Sequence, residues 1–179
     1  MTNNESFTEE FNENSDVRLV INIAQQTLTL YKYDKGMTQY TVSTAKNGIG
    51  SQQDRGCTPL GKHIIAAKIG GNEPMNAVFV GRKPTGEVYS AELGKLYPER
   101  DWILSRILWL RGLEEGLNKG SNVHGGCDTY QRYIYIHGTP DSEPMGEPLS
   151  HGCIRMRNED ILELFEQVTE GTTVTIIAR

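Results

Sequence analysis

A chain of 179 residues, 37% hydrophobic and 23% charged, can bury one core of its own and is too apolar for a disordered polymer. Its formal net charge of −5 argues against a nucleic-acid partner, which demands a basic face, but still allows a local basic pocket for an acidic small molecule. The longest apolar stretch, WILSRILWLRGL, is short and broken by Arg106 and Arg111, so no membrane partner is expected.

Residues 1–16 read as a polar, flexible tail carrying Glu5, Glu9, Glu10, Glu13 and Asp16 without a Lys or Arg. Ser6 to Glu9 has the form of a capping box, but disorder is the expected state. The tail lacks the basic start and apolar run of a secretory signal, which points to the cytoplasm, or to the periplasm had an export signal been removed. Three cysteines, Cys57, Cys127 and Cys153, fit a reducing compartment, and pairing of Cys57 with Cys127 stays open.

From residue 17 to 179 the chain reads as one domain. Short β-rich runs come first: VRLVINIA, QTLTLYKY and QYTVSTA, with Asp34-Lys35-Gly36 as the turn of a meander. CTPLGKHIIAAKI places Pro59 and Gly61 ahead of a further strand, and NAVFVGR supplies another. PERDWILSRILWLRGLEEG opens with Pro98 and acids and repeats Ile103, Ile107 and Leu110 at helical spacing, which predicts a helix stopped at Gly112. RYIYIHG returns to a strand with His137 at its end. Asn158 is placed to cap a helix EDILELFEQV whose stripe is Ile161, Leu164, Phe165 and Val168, and TTVTIIAR closes the chain as a strand. The expected fold is mainly β with two peripheral helices.

The chemistry concentrates in IHGTPDSEPMGEPLSHGCIRM, residues 136–156. A free thiol of pKa ~8.5 is only a few per cent thiolate at neutral pH, so a nucleophilic cysteine needs a base beside it. An imidazole that lowers that pKa would raise the thiolate fraction, and backbone N–H donors must receive the developing oxyanion. Gly152, next to Cys153, permits the tight backbone that such donors require. Both His137 and His151 are candidate bases, and the residues alone leave that choice open. His124, Cys127, His137, His151 and Cys153 are also zinc-type ligands. Their HGGC and HGC spacings, however, are not the paired patterns of structural sites, and no metal or other cofactor is expected. His63 and Cys57 read as structural, and VHGGC as part of a mobile loop before the strand that carries His137.

IHGT followed by SHGCIRM resembles the active-site signature of the L,D-transpeptidase (YkuD-type) catalytic domain family, with CTPLGKH, DWILSRILWLRG and the closing helix and strand in support. The resemblance spans roughly residues 17–179 and implies a sandwich or barrel-like sheet. It also implies Cys153 as nucleophile, His137 as base, the Gly138 carbonyl as orienter of the imidazole, and the N–H groups of Gly152 and Cys153 as oxyanion donors. Ser150 and His151 would shape the nucleophile loop. Arg155 stands where many members carry Asn and would hold a substrate carboxylate. The implied reaction is acyl transfer at the bond between an L-centre and D-Ala in murein tetrapeptides. With a cytoplasmic setting the expected acceptor is water, an L,D-carboxypeptidase of muropeptide recycling. The alternatives are an amine acceptor, which forms crosslinks in the envelope, and a silent muropeptide sensor. Carbapenem-type β-lactams are expected to acylate Cys153.

Overall fold

The computed structural model describes residues 16–179, so the expectations for the acidic tail before them lie outside the described residues. Three strands open the chain as an antiparallel meander: β1 (Val17–Asn22), β2 (Thr27–Lys32) and β3 (Lys35–Thr41). Their alternation buries Leu19, Ile21, Leu28, Leu30 and Tyr40 on one face, as a half-buried strand requires. The β2–β3 turn is Tyr33-Asp34, with φ of 50° and 61°, and Lys32 faces Lys35 across it. Two positive-φ residues give the primed turn whose twist matches the strands, one position earlier than expected.

The next strands are β4 (Gly61–Ile69), β5 (Ala77–Val80) and β6 (Lys83–Val88), followed by a short helix α1 (Ala91–Leu96). Ser90 caps α1, its hydroxyl accepting the Leu93 N–H at 3.1 Å. β7 (Ile103–Gly112), the hairpin β8 (Ser121–Asn122) and β9 (Gly125–Gly126), β10 (Tyr135–Gly138) and β11 (Ile154–Met156) lead to helix α2 (Asn158–Gln167) and to β12 (Thr173–Ile177). The main sheet runs β11-β10-β7-β4-β12-β1-β2-β3, with β5 and β6 added on β7. Beyond β3 the chain returns to the opposite edge: Ser43 and Arg155 exchange N–H···O bonds of 2.9 Å each way. That joins the two ends of the strand order and makes the sheet barrel-like. Its interior holds Leu19, Ile65, Leu108, Ile136 and Ile154, covered by Ile161, Leu164 and Phe165 of α2.

Two expectations fail here. The helix expected over residues 98–116 is the extended strand β7, paired with β4 and β10. Its run ILSRILWLRG is buried on both faces of a central strand, where apolar residues are nearly continuous and spacing cannot tell strand from helix. β-branched Ile103 and Ile107 and the aromatic Trp109 then favour the pleated surface. Asn158 is not the cap of α2 but its first residue. The cap position is Arg157, without a side-chain cap bond. The Asn158 amide instead spans two strands, as described below. Residues 121–126 within the SNVHGGC stretch form the β8–β9 hairpin, with the Cys127 that follows fully buried.

Candidate active site

His137 ends β10 and Cys153 immediately precedes β11. The two strands are parallel, Ile136 opposite Ile154 and His137 opposite Arg155. Carried back one step, that register sets Tyr135 against Cys153, and the Tyr135 N–H donates to the Cys153 Sγ at 3.3 Å. Side chains two apart share a face, so His137 and Cys153 are diagonal neighbours on one face. Parallel pairing demands a long crossover, and residues 139–153 supply an ordered one. Ser43 Oγ donates to the Glu147 carbonyl at 2.6 Å, the Gly146 N–H to the Val42 carbonyl at 2.9 Å, and Arg157 to the Asp141 carbonyl at 2.7 Å.

The His137 imidazole is held from below. His137 is buried, and its Nδ1 lies 2.6 Å from the Gly138 carbonyl. A carbonyl only accepts, so Nδ1 carries the proton and Nε2 is left as the basic nitrogen. The backbone at His137–Gly138 shifts register against β7, opposite a bulge where Ser105 has φ of 69°. Asn158 clamps this irregularity: its Oδ1 accepts from Ser105 Oγ at 2.6 Å and its Nδ2 donates to the Thr139 carbonyl at 2.8 Å. A Cβ on Gly138 would meet the Asn158 Oδ1 at 2.5 Å and the Leu104 carbonyl at 2.6 Å, so only glycine fits.

The nucleophile loop is equally tied. Ser150 Oγ donates to the Cys153 carbonyl at 2.5 Å and accepts the Gly152 N–H at 3.2 Å. Thr58, of the Thr-Pro-x-Gly stretch, donates to the Gly152 carbonyl at 2.9 Å and accepts the Ala45 N–H at 3.0 Å. Gly152 has φ of 137°, the region closed to side chains. The Cys153 thiol points to the Tyr133 carbonyl at 3.4 Å. Burial pushes its pKa up to about 12, against the opposing Tyr135 N–H and the Arg155 and Arg132 cations, with Asp101 reinforcing the rise. Burial likewise holds the His137 imidazole below its ordinary value, opposed by the Gly138 carbonyl and Asp101. Burial thus favours the neutral form of both groups, against the expectation of a thiol acidified by its imidazole.

Two clefts meet at His151, which is mostly exposed. One, of about 370 Å³, is lined by Gln53, Asp54, Arg132, Tyr133 and His151. The other, of about 230 Å³, is lined by Glu99, Asp101, Thr139, Glu143, His151 and Arg155. Arg155, 8% exposed, faces carboxylates of the protein itself: Asp101 at 3.2 Å and Glu143 at 3.7 Å. Asp101 also lies 3.7 Å from His151 Nδ1. Asp101 was hidden inside the stretch read as helix, Arg132 inside a run read as strand, and Thr58 inside a motif read as a turn. All three cysteines are free, so Cys57 and Cys127 are not paired. His63 is buried between the Gly61 carbonyl and Thr129 Oγ1, each at 3.0 Å. Among the described residues no helix is long and apolar enough to cross a membrane.

The family model of the L,D-transpeptidase catalytic domain matches residues 16–176. The probable L,D-transpeptidase YcfS of Escherichia coli is 52% identical over 160 residues, 89% of this chain and 43% of that protein. An L,D-transpeptidase structure from Mycobacterium smegmatis superposes with a TM-score of 0.55 at 19% identity, over 91% of this chain and 59% of that one. L,D-transpeptidase 3 from Mycobacterium tuberculosis, solved with a faropenem-derived adduct, gives 0.53 at 18% identity, over 90% and 60%. The chain therefore spans less than two thirds of each of these relatives, and the two solved structures speak for the fold alone.

Proposed function

The chain belongs to the L,D-transpeptidase catalytic domain family, and from that premise we propose that Cys153 and His137 carry out acyl transfer on peptidoglycan stem peptides. The bond attacked joins an L-centre to a terminal D-residue. The observation that carries this reading is the His137 ring, fixed through Nδ1 on the Gly138 carbonyl and set on the same face as the Cys153 thiol.

With both groups neutral at rest, the thiol proton passes to Nε2 as Sγ attacks the carbonyl carbon. The electron pair of the C=O bond moves onto oxygen, where the Cys153 N–H would donate to it. The Gly152 N–H serves as well once it leaves the Ser150 hydroxyl that holds it at rest. Collapse re-forms the carbonyl, breaks the C–N bond and returns the proton from Nε2 to the departing amine of D-Ala. The thioester is then attacked by an acceptor whose proton goes to Nε2, and the sulfur leaves as the thiol. Ser150 holds the loop, and Arg155, paired with Asp101 and Glu143, orders the wall beside the imidazole.

With water as acceptor the protein is an L,D-carboxypeptidase acting on soluble muropeptides in the cytoplasm. With an amine as acceptor it is instead a transpeptidase that joins two stem peptides. Incubation with tetrapeptide, followed by mass spectrometry, separates them. Tripeptide and D-Ala without dimers support water, and crosslinked dimers support the amine. Cys153→Ala should abolish conversion while leaving peptide binding intact, and His137→Ala should lower turnover about a hundredfold to ten-thousandfold. Conversion that survives Cys153→Ala would defeat the reading. A carbapenem should add its mass to Cys153.

A further inference from the structure

Arg132 lines the larger cleft with no carboxylate in ion-pair contact among the described residues, Asp54 of the same cleft acting on it only from farther away. Its guanidinium offers five N–H donors. Among the described residues two of its hydrogen bonds reach protein acceptors, the Cys57 carbonyl at 2.6 Å and the Gly50 carbonyl at 3.4 Å, and none reaches a carboxylate. No Asp or Glu of the described residues lies within ion-pair distance, whereas Arg155 is paired with Asp101 and Glu143. A half-buried charge with unused donors is costly unless something outside the fold completes it. The place it occupies suits a ligand. Arg132 lines the cleft of about 370 Å³ beside Tyr133, whose carbonyl receives the Cys153 thiol, and beside exposed His151. Its bonds to residues 50 and 57 fix the guanidinium against the Thr-Pro-x-Gly stretch, whose Thr58 holds the Gly152 carbonyl. The cation is therefore pre-positioned on the same scaffold as the nucleophile.

We infer that Arg132 binds a carboxylate of the donor peptide, so that the larger cleft is the donor side of the site. This rests on the reading of the protein as a stem-peptide acyl transferase. A planar guanidinium pairs with a carboxylate through two parallel N–H···O bonds, which also fixes the peptide's direction through the site. In a tetrapeptide whose diamino acid is lysine, two carboxylates carry this chemistry, the terminal one of D-Ala and the free one of the D-Glu residue.

Calorimetric titration of full-length Cys153→Ala with tetrapeptide, alone and combined with Arg132→Gln, tests the inference. Arg132→Gln should weaken binding about tenfold or more, the loss expected for a charge-assisted pair. Arg132→Lys should recover part of it. A tetrapeptide amidated at the responsible carboxylate should bind both proteins equally weakly, and amidating the D-Ala and D-Glu carboxylates separately tells which one it is. Circular dichroism of these proteins, and iodoacetamide labelling of Cys153 in Arg132 variants that retain the thiol, exclude a collapsed site. Equal affinity of Arg132→Gln and its parent for unmodified tetrapeptide would overturn the inference, as would persistence of the difference with both carboxylates amidated. Failure of the underlying reading looks different: wild-type protein would release no D-Ala whatever the Arg132 variants bind.

Discussion

A thiol held at about 12 next to an imidazole held below its ordinary value leaves neither group charged at neutral pH. The proton must therefore move during attack, and the His137 geometry matters more than a standing thiolate. Alkylation of Cys153 by iodoacetamide, read by peptide mass spectrometry so that Cys57 does not interfere, should accelerate about tenfold per pH unit from pH 7 to 10 without levelling. A plateau beginning near pH 6 would reveal a thiolate–imidazolium pair instead. Gly152→Ala is the companion prediction. Its Cβ would meet Ile134 Cδ1 at 3.2 Å and the Cys57 carbonyl at 3.4 Å while the backbone sits at φ of 137°, so about 1–3 kcal/mol of strain is expected. A thermal melt and the D-Ala release assay should both register it. Gly152 and Cys153 stood out because a nucleophile loop is a local motif, written in consecutive residues, whereas His137 was singled out from His151 only by the family resemblance. The raised thiol and Asp101's position between Arg155 and His151 were not, since burial and long-range charge arise only from the folded surroundings.

At the level of elements, the bulge in β7 and the first turn of α2 act as one device. Ser105 accepts the Asn76 N–H at 2.9 Å and donates to Asn158, which donates in turn to the Thr139 carbonyl just beyond the catalytic strand. Asn158→Ala removes a buried partner from two polar groups, so a loss of about 1–3 kcal/mol is expected. Turnover should fall further than stability alone explains, because Thr139 follows Gly138 directly. Asn158→Asp, which keeps the acceptor and loses the donor, should lie between the two, and differential scanning fluorimetry with the activity assay ranks all three. The sequence marked Asn158 as special for the wrong reason: polar residues before an acidic turn usually cap helices, whereas here tertiary bonds claim the amide. β7 misled in the same way. Its Ile103, Ile107 and Leu110 fit a helical stripe as well as a strand buried on both faces, and only the partners β4, β5 and β10 decide between them. The half-exposed strands β1 and β2, with one wet face, betrayed their period plainly.

Across the whole molecule the site depends on closure of the sheet, since beyond β3 Ser43 bonds Arg155, and Thr44 and Lys46 bond Ser150, on either side of Cys153. Anything that loosens the far strands should therefore reach the nucleophile loop, and acid is one such agent. His63, wholly buried on β4, is bonded at both ring nitrogens and held neutral, its pKa pushed by burial from 6.5 down to about 4 despite the Gly61 carbonyl and Glu114. The unfolded chain takes up a proton on this ring near pH 6.5 and the folded chain does not. The stability that His63 supports is thus complete above pH 6.5, declines as the pH falls, and stops declining near pH 4. Between pH 6.5 and 5, above the range where most carboxylates titrate, the loss should come to about 2 kcal/mol, and buried His137, shifted in the same direction, adds to it. Urea midpoints taken every half unit from pH 7.5 to 5 would show the decline. His63→Gln, which keeps a polar side chain between Gly61 and Thr129 but cannot titrate in this window, should flatten the slope whatever it does to absolute stability. A slope unchanged by that substitution would assign the acid sensitivity to other groups and detach β4 from the pH response of the site.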